Sequence, residues 1–222
     1  MKAIQPVYEK ITNDLNSISP EIQVIAVTKQ VGVERTLEAI GSGIRHLGEN
    51  RPEGLLTKLE AISTDVDWHF IGNLQTRKVK DIIDKIDYLH SLDRLSLAKE
   101  IQKRATQPVK CFVQVNVSLE DTKSGVVPEE TMEFIKSLEV FDKIQVVGLM
   151  TMAPNTTDET VIRNVFKRLK SLQMEVAAAQ LKHAPCTECS MGMSNDYWIA
   201  AEEGATFVRI GTALVGSERE AE

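Results

Sequence analysis

Apolar residues along this chain alternate between two rhythms. Nearly continuous apolar runs, rich in β-branched residues, occupy positions 22–28, 44–48, 68–71, 88–91, 110–117, 144–150, 187–191 and 206–210. Such runs read as strands buried on both faces. Between them, through 34–41, 52–62, 77–83, 94–105, 128–138, 157–179 and 195–203, the pattern reads as helical. Ile4, Val7, Ile11, Leu15 and Ile18 form one more helical stripe, interleaved with Lys2, Glu9, Lys10, Asn13 and Asp14. That is an amphipathic N-terminal helix, not the apolar stretch of a secretory signal. Boundary residues agree with these limits. Gly41-Ser-Gly43 closes a helix, Pro128 suits a first helical turn, and Asp158 and Glu159 complement the dipole of the longest helix.

Strand and helix alternate from end to end, which favours a parallel sheet. Eight strands with interleaved helices and no Pro/Gly/Ser-rich linker predict an α/β fold: a single (β/α)8 TIM-barrel domain over residues 1–222, with the N-terminal helix as an addition. An open doubly wound sheet is the rival, but no G-x-G-x-x-G follows the first strand. The chain has 222 residues, 42% hydrophobic and 26% charged, which is ordinary for a globular protein. A net charge of −6 argues against broad binding to nucleic acid or anionic membranes. No run approaches the ~20 apolar residues of a membrane span. Three cysteines, an odd number, and no signal peptide predict a cytoplasmic protein. Cys186 and Cys189 form a lone C-x-x-C read as packing, and the histidines His46, His69, His90 and His183 lack metal spacing, so no metal site is expected.

In a barrel of this kind the chemistry belongs at the C-terminal ends of the strands. Lys29 stands at the end of the first run. A lysine there either snorkels to water or is used chemically; desolvation favours the neutral amine, which condenses with aldehydes. After the seventh and eighth strands come Ser190-Met-Gly-Met-Ser194 and Arg209-Ile-Gly211-Thr212. Ser194 reads as a helix N-cap and anion ligand, while Gly211 and Thr212 offer close backbone approach and a hydroxyl. Taken singly, each segment also reads as an ordinary turn. Together they sit where such barrels bind phosphate, and a Schiff-base lysine plus a phosphate site suit pyridoxal 5′-phosphate. Arg209 alternates with Val208 and Ile210 and can face the barrel mouth. A guanidinium beside the pyridine nitrogen would disfavour its protonation and weaken the ring as an electron sink.

Ala26-Val-Thr-Lys29, His46-Leu-Gly-Glu-Asn50, Trp68-His-Phe-Ile-Gly-Asn-Leu-Gln75, His90-Ser-Leu-Asp-Arg94, Gln114-Val-Asn-Val-Ser118, Gly148-Leu-Met-Thr-Met152, Ser190-Met-Gly-Met-Ser194 and Val208-Arg-Ile-Gly-Thr212 follow one another as blocks. In number and order the chain resembles the pyridoxal phosphate homeostasis protein family, relatives of the alanine racemase N-terminal barrel. The resemblance implies that Lys29 carries the cofactor as an internal aldimine and that Arg209 faces the pyridine nitrogen. It implies that Ser194, Gly211 and Thr212 hold the phosphate, that Asn50 lines the pocket, and that Ser190 is a second hydroxyl near the site. The stretch Asn50-Arg-Pro-Glu-Gly54 departs from the family pattern. The implied function is a monomeric, non-catalytic carrier that buffers the cofactor and supplies it to dependent apo-enzymes. Racemisation needs acid/base groups on both faces of the substrate, and beyond Lys29 the sequence offers no second one. The rival readings are a racemase using the same cofactor and a cofactor-free Schiff-base aldolase.

Overall fold

The computed structural model describes residues 2–120 and 123–217. The strands β1 (Gln23–Val27), β2 (His46–Glu49), β3 (Asp67–Phe70), β4 (Tyr88–Leu92), β5 (Val109–Gln114), β6 (Ile144–Met150), β7 (Glu188–Ser190) and β8 (Phe207–Ile210) pair in parallel in chain order. Pairing of Ile25 with Arg209 joins β1 to β8 and closes the ring. The helices α1 (Ile4–Asn16), α2 (Val33–Gly41), α3 (Pro52–Ala61), α4 (Val79–Ile82), α5 (Leu95–Arg104), α6 (Thr131–Ser137), α7 (Glu159–Ala178), α8 (Tyr197–Glu202) and α9 (Thr212–Val215) surround it. The (β/α)8 barrel expected from the apolar rhythm is the observed fold. Helix α1 packs on α2, α8 and α9, covering the outside where the ring closes. It buries Ile4, Ile11 and Leu15, whereas Ile18 lies beyond its end and is exposed.

Local departures have local causes. The segment expected as one helix over 77–83 is a 3-10 turn, the single turn α4 and a second 3-10 turn. Residues 128–138 likewise begin in a 3-10 turn with Pro128 in its first position. Asp158 caps α7, its carboxylate accepting from the Thr160 and Val161 N–H groups. Helix α9 has only four residues, too few for a periodic signal, and the sequence pattern gives no sign of it. No helix among the described residues is long and apolar enough to cross a membrane.

Most buried apolar side chains lie between the barrel wall and the helices, Cys111, Cys186 and Cys189 among them. Cys186 precedes β7 with φ +47°, so the C-x-x-C is not contained in the strand. Burial pushes the Cys186 and Cys189 thiols up to about 12, which leaves them protonated packing groups. Inside the barrel the apolar filling is small: Ile25, Phe112, Met150 and Phe207, edged by Tyr88, Val147 and Met152.

Histidines occupy the rest of that interior. His69 and His90 are fully buried. His69 stacks on Tyr88 with centroids 4.4 Å apart, and His90 on Phe112 at 4.3 Å. Their nitrogens bond to one another: His46 Nδ1 to His69 Nε2 at 3.0 Å, and His69 Nδ1 to His90 Nε2 at 2.9 Å. The strand register explains the diagonal. His46 is level with Asp67, two residues before His69, and His69 is level with Tyr88, two residues before His90. Each ring therefore sits one inward-facing step, roughly 6.6 Å, above the last. Burial holds both His69 and His90 well below the ordinary histidine range.

Two outcomes are expected. Gly148 on β6 lies so close to β7 that a Cβ would run into the Glu188 carbonyl, so Gly148→Ala should cost about 1–3 kcal/mol in urea unfolding. A variant as stable as the parent would contradict the strand packing. The second concerns acid. In the unfolded chain His69 and His90 take up protons near pH 6.5, whereas the folded protein refuses them until far lower pH, so the unfolded state binds more protons and stability falls as pH falls. The slope should approach about 1.4 kcal/mol per pH unit for each histidine below roughly pH 6.5. A urea midpoint that stays flat between about pH 7 and 5.5 would contradict neutral burial of both rings.

Candidate functional site

A cavity of about 1140 Å³ opens at the C-terminal ends of the strands. Lys29, Asn50, Ser194, Arg209, Gly211 and Thr212 all line it. Each arrives there for a local reason. Ile25 belongs to the barrel-interior cluster and Val27 lines the cavity, so Lys29, two residues further, continues the inward face. Lys29 is exposed within the cavity mouth and enters no ion pair among the described residues. The Lys29 side chain is thus open to solvent and unpaired among the described residues. Ring closure brings Thr212 to the same rim, its hydroxyl 3.5 Å from Gln30 Oε1.

The backbone beneath Lys29 is held by a buried ion pair. Lys58 on α3 donates to the Glu49 carboxylate and, at 2.7 Å, to the Thr28 carbonyl. The Thr28 hydroxyl donates to the same Glu49 oxygen at 2.7 Å. These contacts fix the residues immediately before Lys29 and before Asn50. A charge-assisted pair with its remaining valences bonded is the form in which buried ions persist. Sequence reading did not single out Glu49 or Lys58. The available signal was a lysine in the apolar stripe of a helix, at Leu55, Lys58 and Ile62.

Arg209 is buried on β8. Its Nη1 donates to Ser190 Oγ at 2.5 Å and its Nη2 to the Thr151 carbonyl at 2.9 Å. Burial pulls the guanidinium down to about 10, opposed by the nearby Asp196 carboxylate, so it stays charged at neutral pH. Burial also raises Asp196, against the bond it accepts from the Met193 N–H at 2.5 Å and the field of Arg209.

Two expectations are corrected here. Ser194 does not cap the following helix: α8 starts after Asp196, and Ser194 faces the cavity instead. Ser190 is fully buried and does not line the cavity. Its hydroxyl is taken by Arg209 and by His90 Nδ1 at 2.9 Å, a bond that crosses the barrel from β7 to β4. Sequence reading gave His90 no role beyond a pocket or packing residue; the missed signal was a histidine on the inward face of three successive strands.

The donor set of the rim is that of an oxyanion site beside an amine. The hydroxyls of Ser194 and Thr212 are joined by backbone N–H groups of Ser194, Asn195, Thr212 and Ala213, which have no acceptor among the described hydrogen bonds. Free N–H groups and hydroxyls converging on one place suit a phosphate, Lys29 supplies a nucleophilic amine, and Arg209 supplies a permanent donor. The residues present therefore fit a phosphorylated aldehyde with a ring acceptor.

Comparison with known proteins agrees with this chemistry. The family model described as alanine racemase, N-terminal domain, matches residues 8–219. The pyridoxal phosphate homeostasis protein of Aquifex aeolicus is 41% identical over 203 residues, covering 89% of this chain and 87% of that protein. The protein of that name from Synechocystis is 34% identical, covering 95% and 96%. PipY of Synechococcus elongatus, in its structure with PLP bound, superposes with a TM-score of 0.85 at 30% identity, covering 95% of this chain and all, 100%, of that one. An alanine racemase of Clostridium difficile shares the fold, with a TM-score of 0.77 at 16% identity over 94% of this chain and 56% of its own. On sequence and fold together, the chain belongs to the pyridoxal phosphate homeostasis protein family, within the alanine racemase N-terminal-domain fold.

Proposed function

We propose that this protein binds pyridoxal 5′-phosphate and acts in its homeostasis, holding the cofactor through Lys29 and releasing it again. One observation carries the reading: a single cavity joins the Lys29 amine to the oxyanion donors of Ser194 and Thr212 at its rim, with the Arg209 guanidinium in its wall. The names of the relatives support it. In this reading Lys29 Nζ, in its neutral form, bonds to the aldehyde carbon and water leaves; the reverse reaction frees the cofactor. Ser194, Gly211 and Thr212 orient the phosphate, Asn50 lines the ring pocket, and Ser190 acts one layer below by holding Arg209. When bound, the cofactor supplies a reactive aldehyde and a ring that can accept electrons. Arg209 opposes that second capacity, because a fixed positive charge disfavours a protonated ring nitrogen.

We read the protein as a carrier and not a racemase because racemisation needs acid/base groups on both faces of the substrate, and beyond Lys29 the sequence offers no second one. We place it in the cytoplasm, as one barrel domain over residues 1–222, handing the cofactor to apo-enzymes. Its three cysteines are free and buried, as a reducing compartment allows. A monomer fits the exposed apolar residues Leu37, Val140 and Met174, which sit on separate elements.

Incubation with pyridoxal 5′-phosphate should give a visible absorption band, and borohydride should fix the cofactor on the peptide that contains Lys29. Attachment elsewhere, or no band, would overturn the assignment. The loaded protein should not interconvert amino-acid enantiomers; racemisation at ordinary enzymatic turnover would favour the racemase reading instead.

Ser194→Ala or Thr212→Ala should weaken retention roughly ten- to a hundredfold, the equivalent of losing one hydrogen bond to a charged group at about 1.5–3 kcal/mol. Pyridoxal without its phosphate should bind poorly and respond little to either change. Equal retention of both compounds, measured by equilibrium dialysis, would remove the phosphate site from this rim.

A further inference from the structure

We propose that His46, His69, His90 and Ser190 form a tautomer relay, through which a proton taken up on the N-terminal face of the barrel reverses the hydrogen bonds that reach Arg209. The relay is a property of the chain itself and stands independently of the cofactor reading.

The contacts are continuous. From Asp67 Oδ2 to His46 Nδ1 is 3.3 Å, then 3.0 Å to His69, 2.9 Å to His90, 2.9 Å to Ser190 Oγ and 2.5 Å to Arg209 Nη1. The first contact lies at the start of β2 and β3, on the face opposite the cavity. The last lies in the wall of the cavity. Strands β4 and β7 are not neighbours, so the His90–Ser190 bond carries the chain through the barrel interior.

A neutral imidazole has one N–H and one acceptor nitrogen. Between two such rings one donates and the other accepts, so the whole chain must point one way. In one polarity the Ser190 hydroxyl donates to His90 Nδ1, His90 Nε2–H donates to His69, and His69 Nε2–H donates to His46 Nδ1. Every contact from Ser190 to His46 is then paired, but the Asp67 carboxylate faces a nitrogen lone pair. In the other polarity each Nδ1–H donates onward, and Ser190 accepts from both His90 and Arg209. The His46 Nδ1–H that then donates to His69 Nε2 also faces the Asp67 carboxylate, 3.3 Å from the same nitrogen, which favours a proton there, whereas the buried Ser190 proton loses its acceptor. The two ends of the chain prefer opposite polarities.

Protonation of His46 decides between them. His46 with both nitrogens protonated cannot accept from His69, so His69 and His90 must carry their protons on Nδ1. His46 is where that proton enters, since it is only partly buried while the other rings are fully buried. The groups facing His46 are Asp67 on β3, Asp87 before β4 and Lys110 on β5; burial and Lys110 disfavour its charged form, and the two carboxylates favour it. Facing His69 and His90 are Lys110, Arg209 and the neighbouring histidines, all of which disfavour a charge there. The inner rings therefore pass on direction without holding the proton. When the chain reverses, Ser190 no longer donates to His90, and Arg209 shares its acceptor with a second donor.

Nitrogen-15 NMR of the histidine-labelled full chain, without cofactor, tests this between about pH 8 and 5. His90 is expected to exchange its proton-bearing nitrogen from Nε2 to Nδ1 at the midpoint at which His46 gains its charge, and to stay singly protonated throughout. Asp67→Asn, at a half-exposed position, should lower both midpoints together, because it removes a carboxylate that favours charged His46. His46→Phe should abolish the exchange at His90. The proposal is overturned if His90 keeps one tautomer while His46 titrates, if Asp67→Asn moves one midpoint and not the other, or if the protein unfolds in acid before any exchange. Should His46→Phe not fold, the Asp67→Asn comparison decides alone. Failure of pyridoxal 5′-phosphate binding would leave these outcomes unchanged.

Discussion

A guanidinium in the middle of a closed barrel must be given acceptors, and much of the interior follows from supplying them. Arg209 lies inside β8, where an isolated charge would be costly. Ser190 and the Thr151 carbonyl accept from it, and Asp196 contributes an opposing field. A buried hydroxyl in turn needs its own partner, which His90 provides, and each imidazole then needs another. The polar requirement is passed down the barrel axis until it meets Asp67, which is open to water. Interiors of such barrels are ordinarily packed with branched aliphatic side chains. Here, among the described residues, four buried apolar side chains fill that role, edged by three partly buried ones, because the histidines occupy the volume and stack on Tyr88 and Phe112.

The rim obeys a different constraint. Lys29 is exposed, so its own side chain is not anchored by packing. The anchoring is moved one residue back, to Thr28, and carried by Lys58 and Glu49. An exposed amine thus stands on a backbone held by a buried ion pair, which restricts where the amine can go.

The barrel was legible in the sequence because β1, β5, β6 and β8 are short, dense apolar runs separated by stripes such as Ile162, Val165, Phe166 and Leu169 on α7. Six of the seven expected site residues line the one cavity, since strand ends in this fold share a rim. Ser190 lies beneath the cavity, bonded to Arg209, and a hydroxyl two residues before a glycine gives no indication of whether it faces the cavity or lies below it. The histidine chain and the Glu49–Lys58 pair were illegible for a stronger reason: both depend on register between strands or between strand and helix, and a single sequence carries no register. Lys29 lines the cavity, as expected of a strand-end residue, yet its amine is exposed and not desolvated.

The seam between β1 and β8 gives the protein an order of events. Lys29 and Thr212 meet on one rim only because the last strand pairs with the first, as the Ile25–Arg209 register and the Gln30–Thr212 contact record. On the proposed reading, a chain still being synthesised has the amine but not the phosphate donors, so a nascent lysine would have no means of retaining a phosphorylated aldehyde. Retention begins when the ring closes, and a ligand bound across the seam then favours the closed ring by mass action. On that reading, bound cargo would be a proof of completed folding.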